Sequence, residues 1–82
     1  MKQEPRRKVQ YRLVLPEGGG AGGVTEYTMT TVRRYEAAAL VKREGVWYIG
    51  GFAATRELAE KKAQALRKQG EEAIVVMAEE VK

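Results

Sequence analysis

The sequence predicts a small α+β domain in the order β-β-β-α-β, with a four-stranded, mostly antiparallel sheet and one helix packed on one face. Three observations predict it. Two stretches alternate apolar and polar residues with the period of strands, one later stretch has the period of an amphipathic helix, and a continuous apolar run follows that helix. At 82 residues the chain forms one domain, which we assign to residues 1–82.

The first strand is predicted from Lys8 to Leu15, after a polar segment, residues 1–7, that we interpret as a flexible basic arm. Every second residue of this strand is apolar, as in a half-buried strand, and the outer face is basic. Residues 16–23 are rich in glycine and indicate a floppy hairpin loop. They match the pattern G-x-G-x-x-G, but the segment that follows resembles a strand, so no dinucleotide site is expected.

The second strand is predicted to be long, from about Val24 to Lys42, with a bend near Arg33-Arg34. Its first half alternates and pairs with the first strand. Its second half, residues 35–42, also has the composition of a helix that would stop at Gly45. We prefer a strand here, because tertiary context often overrides propensity and three alanines fit a crowded sheet.

A tight hairpin over Glu44-Gly45 then leads into the third strand, Val46–Phe52. This turn sets Lys42 near Trp47 and Val41 near Tyr48. The pair Gly50-Gly51 at the end of the third strand indicates a β-bulge or a close backbone approach.

The helix is predicted to begin after Thr55 as N-cap and to end at Gly70. Its apolar arc is expected to pack against Trp47, Ile49 and Phe52 of the third strand, and contains Leu58, Ala59, Ala63, Ala65 and Leu66. Lys62 falls within this arc, either as a lysine that extends its head to solvent or as one directed across the sheet at a ligand.

The last strand is predicted over Ala73–Ala78, a continuous apolar run that is typical of a buried strand. A right-handed crossover through the helix places it parallel to the third strand. Residues 79–82 are expected to be a charged tail.

Composition argues against catalysis. The sequence contains no His, Cys, Asp, Asn or Ser, which removes the commonest general base, thiolate ligands and the usual nucleophiles. We therefore expect no enzyme, no cofactor and no metal. No apolar run reaches membrane-spanning length and the N-terminus lacks an apolar signal core, so we expect a cytoplasmic protein without membrane contact. Many Glu, Lys and Arg without Asn or Cys are typical of thermophiles, although a GC-rich genome produces the same bias.

The charge is unevenly distributed along the chain. Residues 1–43 carry nine basic and four acidic residues, a balance of +5, whereas residues 44–82 carry six and seven, a balance of −1. A basic half predicts a surface for a polyanion, which is nucleic acid or an acidic protein partner. The candidate nucleic-acid-binding residues are Arg6, Arg7, Lys8, Arg12, Arg33, Arg34, Lys42, Arg43 and Lys62. We therefore expect a non-catalytic nucleic-acid-binding or regulatory module that uses a basic sheet surface. The alternative is a protein-interaction or adaptor module, including a homodimer, because residues 74–77 offer apolar side chains on both faces of one strand.

Residues 47–76 resemble one half of a SPOR (sporulation-related repeat) domain. The resemblance is carried by Trp47-Tyr-Ile-Gly-Gly-Phe52, by Thr55-Arg-Glu-Leu-Ala-Glu60 and by Ala73-Ile-Val-Val76. It covers about a third of the chain and implies glycan binding, which that family performs with two such repeats. A second resemblance is to the double-stranded-RNA-binding domain, which also runs three antiparallel strands into a helix. That family places its lysine pair at the start of the last helix, whereas Lys61-Lys62 lie in mid-helix, so no residues are carried over from it.

Overall fold

The computed structural model describes residues 7–81, which form two three-stranded antiparallel sheets and one helix. The strands are β1 (Val9–Val14), β2 (Glu26–Thr31), β3 (Ala37–Arg43), β4 (Val46–Ala53), β5 (Glu72–Met77) and β6 (Glu79–Val81), and helix α1 spans Arg56–Lys68. The first sheet has the order β2-β1-β6 and the second the order β4-β3-β5. The α+β class is confirmed, whereas the prediction of one four-stranded sheet is wrong. Most of the predicted basic arm lies outside the described residues.

The chain passes from one sheet to the other at two places. The predicted long second strand is interrupted over residues 32–36, which separate β2 from β3. The last predicted strand continues beyond Ala78 into β6, so residues 79–81 pair with β1 instead of forming a charged tail. A backbone hydrogen bond from Ala78 N–H to the Glu36 carbonyl at 2.9 Å joins the two crossings, and a second, from Glu36 N–H to the Ala53 carbonyl at 3.0 Å, joins the first crossing to the end of β4. Each crossing thereby satisfies backbone groups that would otherwise lack partners.

The hairpin between β3 and β4 forms in the predicted register. Lys42 pairs with Trp47 and Val41 with Tyr48. Both turn residues have positive φ, 51° at Glu44 and 78° at Gly45, as the twist of a two-residue hairpin requires. The register shifts where Ala39 pairs with Gly51 and Leu40 with Ile49, which leaves Gly50 as the extra residue of the predicted bulge.

Strand β5 is parallel to β4, as predicted, and the two strands are not adjacent. It pairs with β3 in antiparallel orientation, as β4 does on the other side, so β4 and β5 are parallel with β3 between them. The crossover through α1 therefore spans one strand. This arrangement makes β3 the centre of the second sheet.

Two layers cover β3, one on each face. Ala37 and Ala39 face α1 and pack near Ala59 and Ala63, so that the helix backbone lies close to the sheet. On the opposite face a second cluster joins the two sheets, and its buried members are Leu13, Leu15, Ala38, Leu40 and Trp47. Both layers are needed because residues 37–41 are at most 3% exposed.

The prediction that Trp47 and Phe52 pack against the helix is wrong. Trp47 lies opposite Lys42 and Phe52 lies opposite Ala38, on the face that α1 does not cover. Two other predicted core residues are exposed, Ile49 at 39% and Leu58 at 46%. The helix buries small alanines instead of the aromatic residues.

Both predicted ends of α1 are confirmed. The Thr55 hydroxyl accepts a hydrogen bond from Leu58 N–H at 3.2 Å, which is N-capping geometry. At the other end Gly70 has φ of 87°, and the Glu71 N–H returns to the Leu66 carbonyl at 3.0 Å while the Gly70 N–H reaches the Arg67 carbonyl at 2.9 Å. These two bonds form a Schellman motif, which favours glycine at the left-handed position.

Candidate nucleic-acid interface

Four of the candidate cations meet at one end of the first sheet. Because Val9 pairs with Thr31, the residues just before β1 lie beside the residues just after β2. All four side chains belong to exposed residues, and we call them the basic end: Arg7, Lys8, Arg33 and Arg34. Among the described residues, one carboxylate is within ion-pair distance of this group, Glu80 at 3.6 Å from Arg34. Arg6, the remaining candidate of this segment, lies outside the described residues.

Local hydrogen bonds fix the turn that presents two of these arginines. The Arg33 N–H donates to the Thr31 hydroxyl at 3.1 Å, which closes the end of β2. Two residues later the Tyr35 N–H donates to the Tyr11 hydroxyl at 3.1 Å. The Tyr35 ring packs against Tyr11 and Phe52, with centroids 6.1 Å and 5.1 Å away. The backbone on both sides of Arg34 is therefore held in place while the arginine side chains stay exposed.

Arg12 is engaged with carboxylates on the outer face of the same sheet. Its guanidinium donates to Glu79 at 2.8 Å and lies 3.8 Å from Glu26, so one residue from each neighbouring strand faces it. The hydrogen bond with Glu79 raises the pKa of Arg12, and the negative charges of Glu79 and Glu26 act in the same direction. A phosphate would compete with both carboxylates at this position.

Lys42 and Arg43 lie at the hairpin turn, away from the basic end. Arg43 donates to Glu71 at 2.7 Å. The Lys42 ammonium stands 5.6 Å from the centroid of the Trp47 ring, which is a cation–π distance. Strand β3 begins at Ala37, three residues after Arg34, and ends at Arg43, so Lys42 and Arg43 lie at the end of β3 that is far from the basic end.

Lys62 covers a glycine of β4. A β-carbon built at Gly51 would lie 3.3 Å from Cδ of Lys62 and 3.7 Å from its Cε and Nζ. The aliphatic stem therefore lies on the sheet at Gly51, next to the bulge, where the strand has no side chain, and Lys62 as a whole is exposed. The stem and the ammonium therefore both lie over Gly51, and among the described residues no carboxylate is within ion-pair distance of Lys62.

An open cavity of about 360 Å³ lies beside the basic end, where the two chain crossings meet. We call it the notch. Its lining includes Tyr11, Arg34, Tyr35, Met77, Ala78 and Glu80. Met77 is 46% exposed there, although its neighbours in β5 are half-buried. The sequence gives no signal for this cavity, because Met77, Ala78 and Glu80 reach it only through the change of sheet at Ala78.

The glycine-rich loop is attached to β4, in contrast to the floppy connection that we predicted. The Trp47 N–H donates to the Gly19 carbonyl at 3.0 Å, and its indole N–H donates to the Glu17 carbonyl at 3.3 Å. The Tyr27 hydroxyl donates to the Trp47 carbonyl at 2.7 Å and accepts from the Ala21 N–H at 3.3 Å. The loop thus satisfies the Trp47 N–H, and Tyr27 of β2 satisfies the Trp47 carbonyl, on a strand at the edge of its sheet.

Comparisons with known proteins return no match: no family model, no curated protein and no solved structure is significantly similar to this chain. Within residues 7–81, no helix is long and apolar enough to cross a membrane. The function is therefore argued from the geometry of the chain itself.

Proposed function

We propose that the protein is a non-catalytic nucleic-acid-binding module that contacts phosphates through the basic end. The observation that carries this proposal is the convergence of Arg7, Lys8, Arg33 and Arg34 at one sheet end, with a single carboxylate ion-paired to them among the described residues. Exposed cations that lack a close carboxylate release counterions when they meet phosphates, which is the main source of nucleic-acid affinity.

Two other candidate cations, Arg12 and Arg43, differ from the basic end because each is hydrogen-bonded to a carboxylate. Arg12 and Arg43 are already paired with Glu79 and Glu71, at 2.8 Å and 2.7 Å. A phosphate at either position must displace a carboxylate, so little net attraction is gained there. We therefore expect these two arginines to contribute little to binding.

Salt dependence provides the first test. If the basic end contacts three or four phosphates of a single strand, affinity falls on the order of 20- to 50-fold between 50 and 200 mM salt. Fluorescence anisotropy with labelled single- and double-stranded oligonucleotides measures this directly. The absence of binding at 50 mM salt, or binding that salt does not weaken, contradicts the proposal.

A pair of charge-matched variants locates the surface. The double variant Arg7→Gln/Arg33→Gln removes two charges from the basic end, whereas Arg12→Gln/Arg43→Gln removes two charges from ion pairs. We expect the first to lose about tenfold or more in affinity at low salt and the second to stay within about threefold of the wild type. Equal losses would show that binding follows net charge, and would exclude the basic end as the contact surface.

One observation favours a second candidate, a protein-interaction module. Strand β4 is an edge of its sheet, and Tyr48 and Ile49 are 42% and 39% exposed on it. At Trp47 the backbone N–H and carbonyl are already bonded to Gly19 and to the Tyr27 hydroxyl. Beyond Trp47, such an edge can pair with a strand from a second copy or from another protein. Light scattering over a concentration series tests the homodimer: a monomer at every concentration rejects it.

A further inference from the structure

We infer that the notch binds one unpaired nucleobase of a single strand whose phosphates lie on the basic end. This inference rests on the proposed function and adds a ligand class to it. The notch and the basic end share Arg34, so a strand held by its phosphates at Arg33 and Arg34 passes directly over the cavity. Proximity of a cationic surface to aromatic side chains, here Tyr11 and Tyr35, is the arrangement that proteins use to bind single strands.

The walls of the notch suit the face of a base. Tyr11 and Tyr35 both line it, and the Tyr35 ring is packed against the rings of Tyr11 and Phe52, with centroids 6.1 Å and 5.1 Å away. Met77 contributes an exposed, polarisable thioether to the same cavity. Aromatic and thioether groups make favourable contacts with any planar π-system, so this surface accepts a base without selecting one.

The rim of the notch suits the edge of a base. The side chains of Arg34 and Glu80 stand 3.6 Å apart as an ion pair, and neither side chain forms a hydrogen bond within the described part of the chain, while Glu36 adds a second carboxylate to the lining. The guanidinium donates and the carboxylate accepts, which complements base edges that carry both acceptors and donors. The volume of about 360 Å³ also lies in the range of small-ligand sites, roughly 300–1,000 Å³.

This geometry requires an unpaired base. In a duplex the faces of each base are covered by its neighbours, so the notch has nothing to stack on. Phosphates, by contrast, are available in both single strands and duplexes. The two binding contributions can therefore be measured separately. The basic end binds single strands and duplexes, whereas the notch adds affinity for single strands alone.

The experiment compares two oligonucleotides of equal length and charge, an oligothymidylate and the same backbone with abasic sites throughout. The wild type is expected to bind the base-bearing strand at least fivefold more tightly in the same buffer.

Two variants test whether the notch is the base site. In Ala54→Leu, a larger apolar side chain fills the notch from the exposed residue Ala54 without changing charge. In Met77→Ala, the thioether is removed from an exposed position. Both variants are expected to reduce the difference to less than about twofold and to leave abasic binding unchanged.

Each outcome is decisive. Equal, salt-dependent binding of both oligonucleotides by the wild type overturns the notch as a base site and leaves the phosphate-binding function standing. Failure of both oligonucleotides to bind at low salt overturns the function and the inference together. A variant that loses affinity for both oligonucleotides equally also contradicts the inference. Before the comparison, circular dichroism spectra establish that Ala54→Leu and Met77→Ala are folded.

Discussion

The tyrosine that ties the glycine-rich loop to the edge of β4 offers the sharpest test of the fold. In Tyr27→Phe the ring stays and the hydroxyl is lost, which removes its 2.7 Å bond to the Trp47 carbonyl and its 3.3 Å bond from the Ala21 N–H. Trp47 is buried, so its carbonyl loses a partner that water cannot readily replace, whereas Ala21 is exposed and can bond to solvent. An unsatisfied buried acceptor costs about 1–3 kcal/mol, and we expect a loss of about 1–2 kcal/mol in the free energy of unfolding.

Urea unfolding followed by circular dichroism measures this loss, and in a domain of this size Tm falls by about 4–8 °C for each kcal/mol. Fluorescence gives a local readout, because Trp47 is the only tryptophan. The matched control is Tyr48→Phe, which removes the same hydroxyl from a side chain that is 42% exposed and forms no hydrogen bond within residues 7–81. We expect the control to stay within about 0.5 kcal/mol of the wild type. If Tyr27→Phe is as stable as Tyr48→Phe, the attachment of the loop through Tyr27 does not contribute to stability.

Two further predictions concern the helix. Thr55→Ala is expected to lower stability by about 1 kcal/mol because the Leu58 N–H loses its acceptor, whereas Thr55→Ser retains it; equal losses in urea unfolding would contradict the capping role. Ala63→Leu is expected to cost about 1–3 kcal/mol because Ala63 is fully buried against β3 and a larger side chain overpacks the contact. Ala65→Leu adds the same atoms at an exposed position of α1 and should be nearly neutral, so a neutral Ala63→Leu would refute the close approach of helix and sheet.

Local patterns in the sequence predict the hairpins and the helix ends correctly. Alternation identifies the buried side of β1, and the pair Glu44-Gly45 sets the register of β3 against β4 because both turn positions require positive φ. Thr55 and Gly70 mark the ends of α1 through groups that lie within a few residues of each other. These features depend on short-range chemistry, which a single sequence records.

The two-sheet architecture could not be derived from alternation, because β3 does not alternate. Residues 37–41 are all buried, so neither face of this strand is marked by polar residues. Such a run does carry one signal, since a strand that is buried on both sides needs a covering layer on each face. One helix on one face of a single sheet cannot provide both layers. The apolar run at Ala37–Val41 therefore indicates a second layer, which the first sheet supplies through Leu13 and Leu15.

The number of unpaired cations could not be read from the sequence for a related reason. The balance of +5 over residues 1–43 treats each cation as free, but three of those arginines pair with glutamates from the other half of the chain. Arg12, Arg34 and Arg43 reach Glu79, Glu80 and Glu71, respectively. Ion pairs between the two halves of the chain thus neutralise part of the positive charge of residues 1–43.

The positive charge that remains available to a polyanion depends on the strength of each of these ion pairs. Arg12 and Arg43 each form a short hydrogen bond with their glutamate. Arg34 is 3.6 Å from Glu80, which is too far for a hydrogen bond. A phosphate that approaches the basic end can therefore recruit Arg34 at low cost, because the loose contact in solvent contributes little. Recruitment of Arg34 would also free the Glu80 carboxylate at the rim of the notch. On this argument the weakest of the three ion pairs is the one that belongs to the binding surface.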